Sequence, residues 1–168
     1  NTFSLIDQKD YDYLGRPSLQ LLPWAVDGRS LMFRPEQSLI AGTDFFDYEE
    51  FDKDANVTSP EIFPAAGPGA YYTAGAAGIG PLGGLTPDAE GYPFVRTTYA
   101  NDGSGRVKSQ SQPGPTLRTG SGHTTRYFYG TPGSQWELDR LFGNEVGFVE
   151  HYKKSFQIDP NGVTSVSY

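Results

Sequence analysis

Ile158-Asp159-Pro160-Asn161-Gly162-Val163 decides how this chain is read, because an aspartate followed three residues later by glycine between apolar flanks is the chemistry of a β-hairpin tip. The aspartate side chain hydrogen-bonds the backbone two residues on, and glycine accepts the positive φ that closes the turn. The same pattern occurs at Tyr11-Asp12-Tyr13-Leu14-Gly15-Arg16 and at Tyr99-Ala100-Asn101-Asp102-Gly103-Ser104-Gly105-Arg106. Asp12, Gly15, Arg16, Asp102, Gly105, Arg106, Asp159 and Gly162 are therefore read as structural turn residues, and the repeat as architecture rather than as an active site.

The composition agrees with a chain of strands and turns. Of 168 residues, 21 are glycine and 13 proline, about a fifth together, which opposes long helices, while 14% are aromatic. The expected fold is mostly β, made of antiparallel hairpins with long Gly/Pro-rich loops and one short helix near 134–142. Zero cysteine excludes disulfides, iron-sulfur clusters and thiolate zinc sites. The net charge of −7 disfavours a phosphate backbone as partner, since that binding needs clustered Lys and Arg, so nucleic acid is not expected. No stretch approaches the roughly 18–20 apolar residues of a membrane helix. The start lacks the features of a signal peptide, and Val163 to Tyr168 alternates like a strand with no closing turn, so both ends read as cut from something longer.

Three zones follow. Residues 1–26 read as one hairpin around Asp12 to Gly15, with Ser18 to Trp24 as the return strand. Residues 27–91 read as irregular: Leu31 to Arg34 as a short strand stopped by Pro35, then the acidic aromatic run Asp44 to Asp54, then a Gly/Ala/Pro tract over 64–91 around Tyr71-Tyr72. Such a tract lacks the apolar area to offset its own ordering entropy and needs support from elsewhere. Residues 92–168 return to strands, over 92–99, 106–111 and 123–129, followed by Phe148 to Phe156 pairing with Val163 to Tyr168. Between them Ser134-Gln135-Trp136-Glu137 fits a capping box, and Gly143 sits where a left-handed terminating residue belongs.

The Tyr-Asp-x-x-Gly-Arg core at 11–16 resembles the YD repeat of the RHS family, large secreted bacterial chains that wind such hairpins into a hollow β-shell. The resemblance extends through Thr98-Tyr99, Asn101 to Arg106, Gly120-Ser121-Gly122-His123, Arg126 to Gly130, Glu137 to Gly143 and His151 to Lys154 into Ile158 to Gly162, the part that looks like the region leading into the repeats. It covers roughly 92–168 and Tyr11 to Trp24, leaves out 27–91, and departs from a strict short-period spacing. It implies a noncatalytic structural segment of a shell, secreted or at the bacterial cell surface, associated with toxin delivery or surface contact. The expected partners are the rest of the parent chain and other cell-surface or secretion-system proteins. The second reading is a stand-alone β-rich module that binds glycan or protein.

Each candidate for chemistry has a plainer explanation. Gly78-Ile79-Gly80-Pro81-Leu82-Gly83 matches G-x-G-x-x-G, but Gly84, Thr86 and Pro87 follow where a nucleotide site needs a helix. Asp52-Lys53-Asp54-Ala55-Asn56 opens like a calcium loop, yet Val57 and Phe63 occupy the positions that need Gly and Glu. An irregular calcium site at Asp44, Asp47, Asp52 or Asp54 ranks below a solvated acidic loop, and the adjacent carboxylates Glu49, Glu50, Asp52 and Asp54 do not provide the fixed separation of a glycosidase pair. His123 and His151 stand alone, and Ser121 is outside any nucleophile elbow. Tyr71, Tyr72, Tyr127, Phe128, Tyr129, Trp136 and Tyr152 form either a sugar platform or, as more often, core and cross-strand pairs. Asn56-Val57-Thr58 is a formal glycosylation sequon. No catalytic, cofactor or metal residue is assigned, and no enzyme activity is expected.

Overall fold

The computed structural model describes residues 2–28, 39–40, 44–45, 67–74 and 85–168, with backbone alone at 39–40 and 44–45. The strand expected at Leu31 to Arg34, most of the acidic run, the sequon and the G-x-G-x-x-G stretch lie outside the described residues.

Antiparallel pairing dominates, as the turn chemistry requires. Strands β2 (Lys9–Tyr11), β3 (Pro17–Leu21), β7 (Phe94–Tyr99), β8 (Val107–Gln110), β9 (Thr125–Gly130), β10 (Lys154–Ile158) and β11 (Thr164–Ser167) form one seven-stranded sheet in the order β11-β10-β9-β8-β7-β3-β2. Strands β1 (Phe3–Ile6) and β4 (Trp24–Asp27) pair separately, as do β5 (Leu39–Ile40) and β6 (Asp44–Phe45). From β7 to β11 consecutive strands are neighbours, so this half is a meander. Strand β7 joins the halves: Phe94 to Arg96 pair with β3, and Thr97 to Tyr99 pair with β8 across an irregularity at Thr98/Tyr99.

The N-terminal reading needs one correction. Trp24 does not belong to the return strand; after Leu22 and Pro23 the chain turns, and Ile6 pairs with Trp24 in a second antiparallel pair outside the Asp12 hairpin. The cause is burial. Strand β3 presents Leu19 and Leu21 and β4 presents Trp24 and Ala25 to one apolar cluster with Tyr71, Tyr92 and Phe94, so a break between the strands lets both reach it.

The Gly/Ala/Pro tract contributes more order than its composition predicts. Gly67–Tyr71 is a short helix, α1, whose Tyr71 is buried in that cluster, while the neighbouring Tyr72 hydroxyl donates to the Pro23 carbonyl. The two rings meet edge to face, 5.1 Å apart. Two tyrosines thus supply the external support the tract lacks. The expectation of a single helix over 134–142 is corrected accordingly.

The longer helix, α2, spans Gln135–Phe142, with Ser134 at its N-cap. The expected capping box does not form: Glu137 reaches back past the N-cap to accept from the Gly133 N–H at 2.8 Å, and the Ser134 side chain makes no cap bond. Gly143 has φ 91° and ψ 171°, outside the left-handed helical region, and its N–H still donates to the Asp139 carbonyl. Ser134→Ala should therefore change stability by less than about 0.5 kcal/mol in urea unfolding, rather than the ~1 kcal/mol of a working cap. A further correction concerns 148–156, where Val149–His151 is a 3-10 turn and strand pairing starts only at Lys154, because Phe148 and Tyr152 close the turn in extended backbone.

The turn glycines behave as read. Gly15 has φ 73° and Gly162 φ 83°, and a Cβ at either would meet nothing within 4 Å. Valine there costs backbone strain alone, so Gly15→Val and Gly162→Val should each destabilise by about 1–2 kcal/mol in denaturant titration.

Candidate functional site

The three Asp-Gly turns separate into two kinds when their bonds are compared. In the first, Asp12 Oδ1 accepts from the Leu14 N–H at 3.0 Å and the Arg16 N–H at 2.9 Å, the Asp12 N–H donates to the Arg16 carbonyl, and the Gly15 N–H donates to the Asp12 carbonyl. The third repeats this pattern: Asp159 Oδ1 accepts from Asn161 at 2.9 Å and Val163 at 2.8 Å, the Asp159 N–H donates to the Val163 carbonyl, and Gly162 donates to the Asp159 carbonyl. Asp102 is different, accepting only from the Ser104 backbone and hydroxyl, with the loop closed by Ala100 N–H to the Arg106 carbonyl.

Arginine four residues after the aspartate adds a link to the next strand. Arg16 holds Asp12 Oδ2 with two nitrogens, both at 2.7 Å, and lies 4.2 Å over the Tyr99 ring, whose hydroxyl donates to the Pro17 carbonyl. Burial pushes the Asp12 carboxyl up, but the Arg16 side-chain and backbone hydrogen bonds, the Arg16 charge and the Leu14 N–H outweigh it and leave it below the usual carboxylate range. Burial, with the Asp12 charge adding to it, raises the Tyr99 phenol. Arg106 repeats the contact on Tyr129 of β9, at 5.3 Å. The Ser104 hydroxyl and backbone bonds hold Asp102 below its ordinary value, helped by Arg106.

The meander's far end carries a groove. Tyr129, Ser155 and Ser167 are cross-strand partners on β9, β10 and β11 and share one face, with Arg106 reaching over Tyr129 from the start of β8. Together with Lys153 and Lys154 they line a cavity of about 610 Å³. Among its lining residues there is no carboxylate. On the opposite face runs the apolar row Phe128, Phe156 and Val166.

Helix α2 is fastened to this end by Glu137, which accepts from Lys154 Nζ, the Tyr168 hydroxyl and the Gly133 N–H. Those bonds, led by Lys154, pull the Glu137 carboxyl down to about 2, and Glu137 in turn raises Lys154. The Phe142 and Tyr168 rings stack edge to face at 5.5 Å, and Leu138 is fully buried.

The other sequence candidates are not brought together. His123 Nδ1 lies 3.1 Å from the Pro160 carbonyl, whereas His151 sits in the 3-10 turn against the Phe148 ring. Ser121 Oγ accepts from the His123 N–H, a turn contact. Among the described residues no group of three or more His, Asp or Glu could hold a metal ion, and no helix is long and apolar enough to cross a membrane. The seven aromatics do not assemble into a platform. Tyr71 is core, Tyr72 caps it, exposed Trp136 lies under Arg140, Tyr152 bonds the Val146 carbonyl, and Tyr129 alone of the set lines the groove. Sequence reading missed Lys153, Ser155 and Ser167; alternation predicts that Lys153 and Ser155 share a face, but the register that adds Ser167 and Tyr129 is not written locally. No family model matches the chain, and no curated protein matches it in sequence.

Proposed function

We propose that the chain is a noncatalytic structural segment of a large secreted or cell-surface bacterial protein of the RHS/YD-repeat kind, in which its meander forms part of a β-shell wall. The supporting observation is the state of the meander's outer strand. All four residues of β11 are exposed, and among the described residues it pairs with β10 on one side only. The apolar row beneath it is also half open, with Phe128 at 47% and Val166 at 43% exposure. A sheet with one unpaired edge beside uncovered apolar surface is a template for a further strand, and the continuing wall of the same protein satisfies both deficits at once. The two matching turns at Asp12 and Asp159 suit such a wall, since one local device closes hairpins at both ends of the sheet.

Expression of residues 1–168 alone and of the polypeptide continued through the residues encoded after Tyr168 tests the reading. The short form should aggregate or give poorly dispersed amide resonances, and the long form should unfold cooperatively. A sharp two-state transition of the isolated monomer, or a gene that stops at Tyr168, overturns it.

A further inference from the structure

We propose that the groove over β9, β10 and β11 binds a phosphomonoester carried on a small molecule. Three cations, Arg106, Lys153 and Lys154, line it in a chain whose net charge is −7, so the local sign opposes that of the whole. Lys154 is paired with Glu137, whereas among the described residues no ion pair engages Arg106 or Lys153. Asp102 lies close enough to sense the Arg106 charge but makes no ion pair with it, so two cations without a direct ion pair face the groove, and they match a dianion better than a monoanion; a phosphomonoester carries about −1.5 to −2 at neutral pH.

The donors suit the same group. Arg106 is held over Tyr129, which orients its fork of N–H donors, Lys153 supplies a mobile point charge, and the Ser155 and Ser167 hydroxyls stand side by side across β10 and β11. The cavity volume of about 610 Å³ exceeds what a bare phosphate fills and lies within the range of small-molecule sites, leaving room for a carrier against Tyr129. The overall negative charge keeps extended polyanions away. A compact dianion reaches the groove without that penalty being repeated along its length. This inference stands on the groove alone and does not depend on the wall reading.

The test is calorimetric titration, with amide-shift mapping, of the full-length polypeptide that contains these residues, using glycerol 3-phosphate. Glycerate, glycerol and inorganic phosphate are the comparison ligands. Glycerol 3-phosphate should bind about tenfold more tightly than glycerate, which has the same skeleton and a single negative charge. It should perturb Tyr129, Ser155 and Ser167. Affinity should rise between pH 5 and 7.5 as the ester loses its second proton near pH 6, because the neighbouring carboxyls Asp102 and Glu137 are held below their ordinary values and Lys154 is raised by Glu137. Arg106→Ala should weaken binding by about tenfold, and Lys153→Ser, at an exposed position outside the strand, should do so by severalfold without disturbing the turn. Equal binding of glycerate, amide shifts confined to other regions, or unchanged affinity in Lys153→Ser overturns the proposal. Inorganic phosphate binding as tightly as the ester overturns the part that assigns a carrier.

Discussion

Phe94→Ala should lower stability by about 3–5 kcal/mol in urea titration of the folded polypeptide, the largest single-site effect expected in the described residues. Phe94 is 1% exposed, lies opposite Leu21 across the β3–β7 pairing, and its ring packs 6.2 Å from that of Tyr92. Truncation leaves a void among Leu19, Leu21, Trp24 and Tyr71 that these side chains, anchored on two strands and a helix, cannot collapse to fill. The position is also topologically exposed to failure, because among the described strands β7 alone joins the β2–β3 hairpin to the meander. Phe128→Ala is the matched control: an aromatic on a strand of the same sheet, 47% exposed, whose loss should cost about 1 kcal/mol or less. Equal losses at the two sites would show that the cluster around Trp24 is not the principal core.

The turns were legible because their determinants are local. Aspartate and glycine three residues apart fix the hydrogen bonds of Asp12 and Asp159 without help from distant parts of the chain, and the strands between such turns inherit antiparallel pairing. What escaped sequence reading depends on partners far along the chain. The separation of Trp24 from β3 follows from sharing a cluster with Tyr71 and Phe94, and the five-residue helix in the Gly/Ala/Pro tract follows from burial of Tyr71 against the distant strands β3 and β4. Propensity opposes that helix, and burial overrides it. At Ser134 the capping box failed for a comparable reason, although the helix starts where it predicted. Glu137 is shared with Lys154 and Tyr168, contacts set by the end of the sheet, and Ser134, in extended backbone, makes no side-chain cap bond. Beyond the shared face of Lys153 and Ser155, the groove was not legible in the sequence, since Tyr129, Ser155 and Ser167 come from separate strands and share a face only through register.

Asp12→Ala should cost about 2–4 kcal/mol, against about 1 kcal/mol for Asp159→Ala and the least of the three for Asp102→Ala, although all three occupy an Asp-Gly turn. The ranking comes from burial and from the number of donors left behind. Asp12 is 8% exposed and serves the Leu14 N–H, the Arg16 N–H and the Arg16 guanidinium; Asp159 repeats the two backbone bonds at a more open site, and Asp102 serves only Ser104. Removing the Asp12 carboxylate also frees Arg16, whose guanidinium reaches water and so limits the loss, and loosens its stacking on Tyr99. The acid limb of the stability curve separates charge from hydrogen bonding. Because the Asp12 carboxyl titrates below its ordinary value, its ionised form contributes stability that is fully present above the unfolded-state value near 3.9 and is lost as pH falls through the depressed folded value. Asp12→Asn keeps an oxygen for the Leu14 and Arg16 N–H groups while abolishing the charge. It should therefore lose less at neutral pH than Asp12→Ala and show a flatter decline between about pH 5 and 2 than the parent protein. Equal acid slopes for Asp12→Asn and the parent protein would assign the turn's strength to backbone hydrogen bonds alone and remove Arg16 from its account.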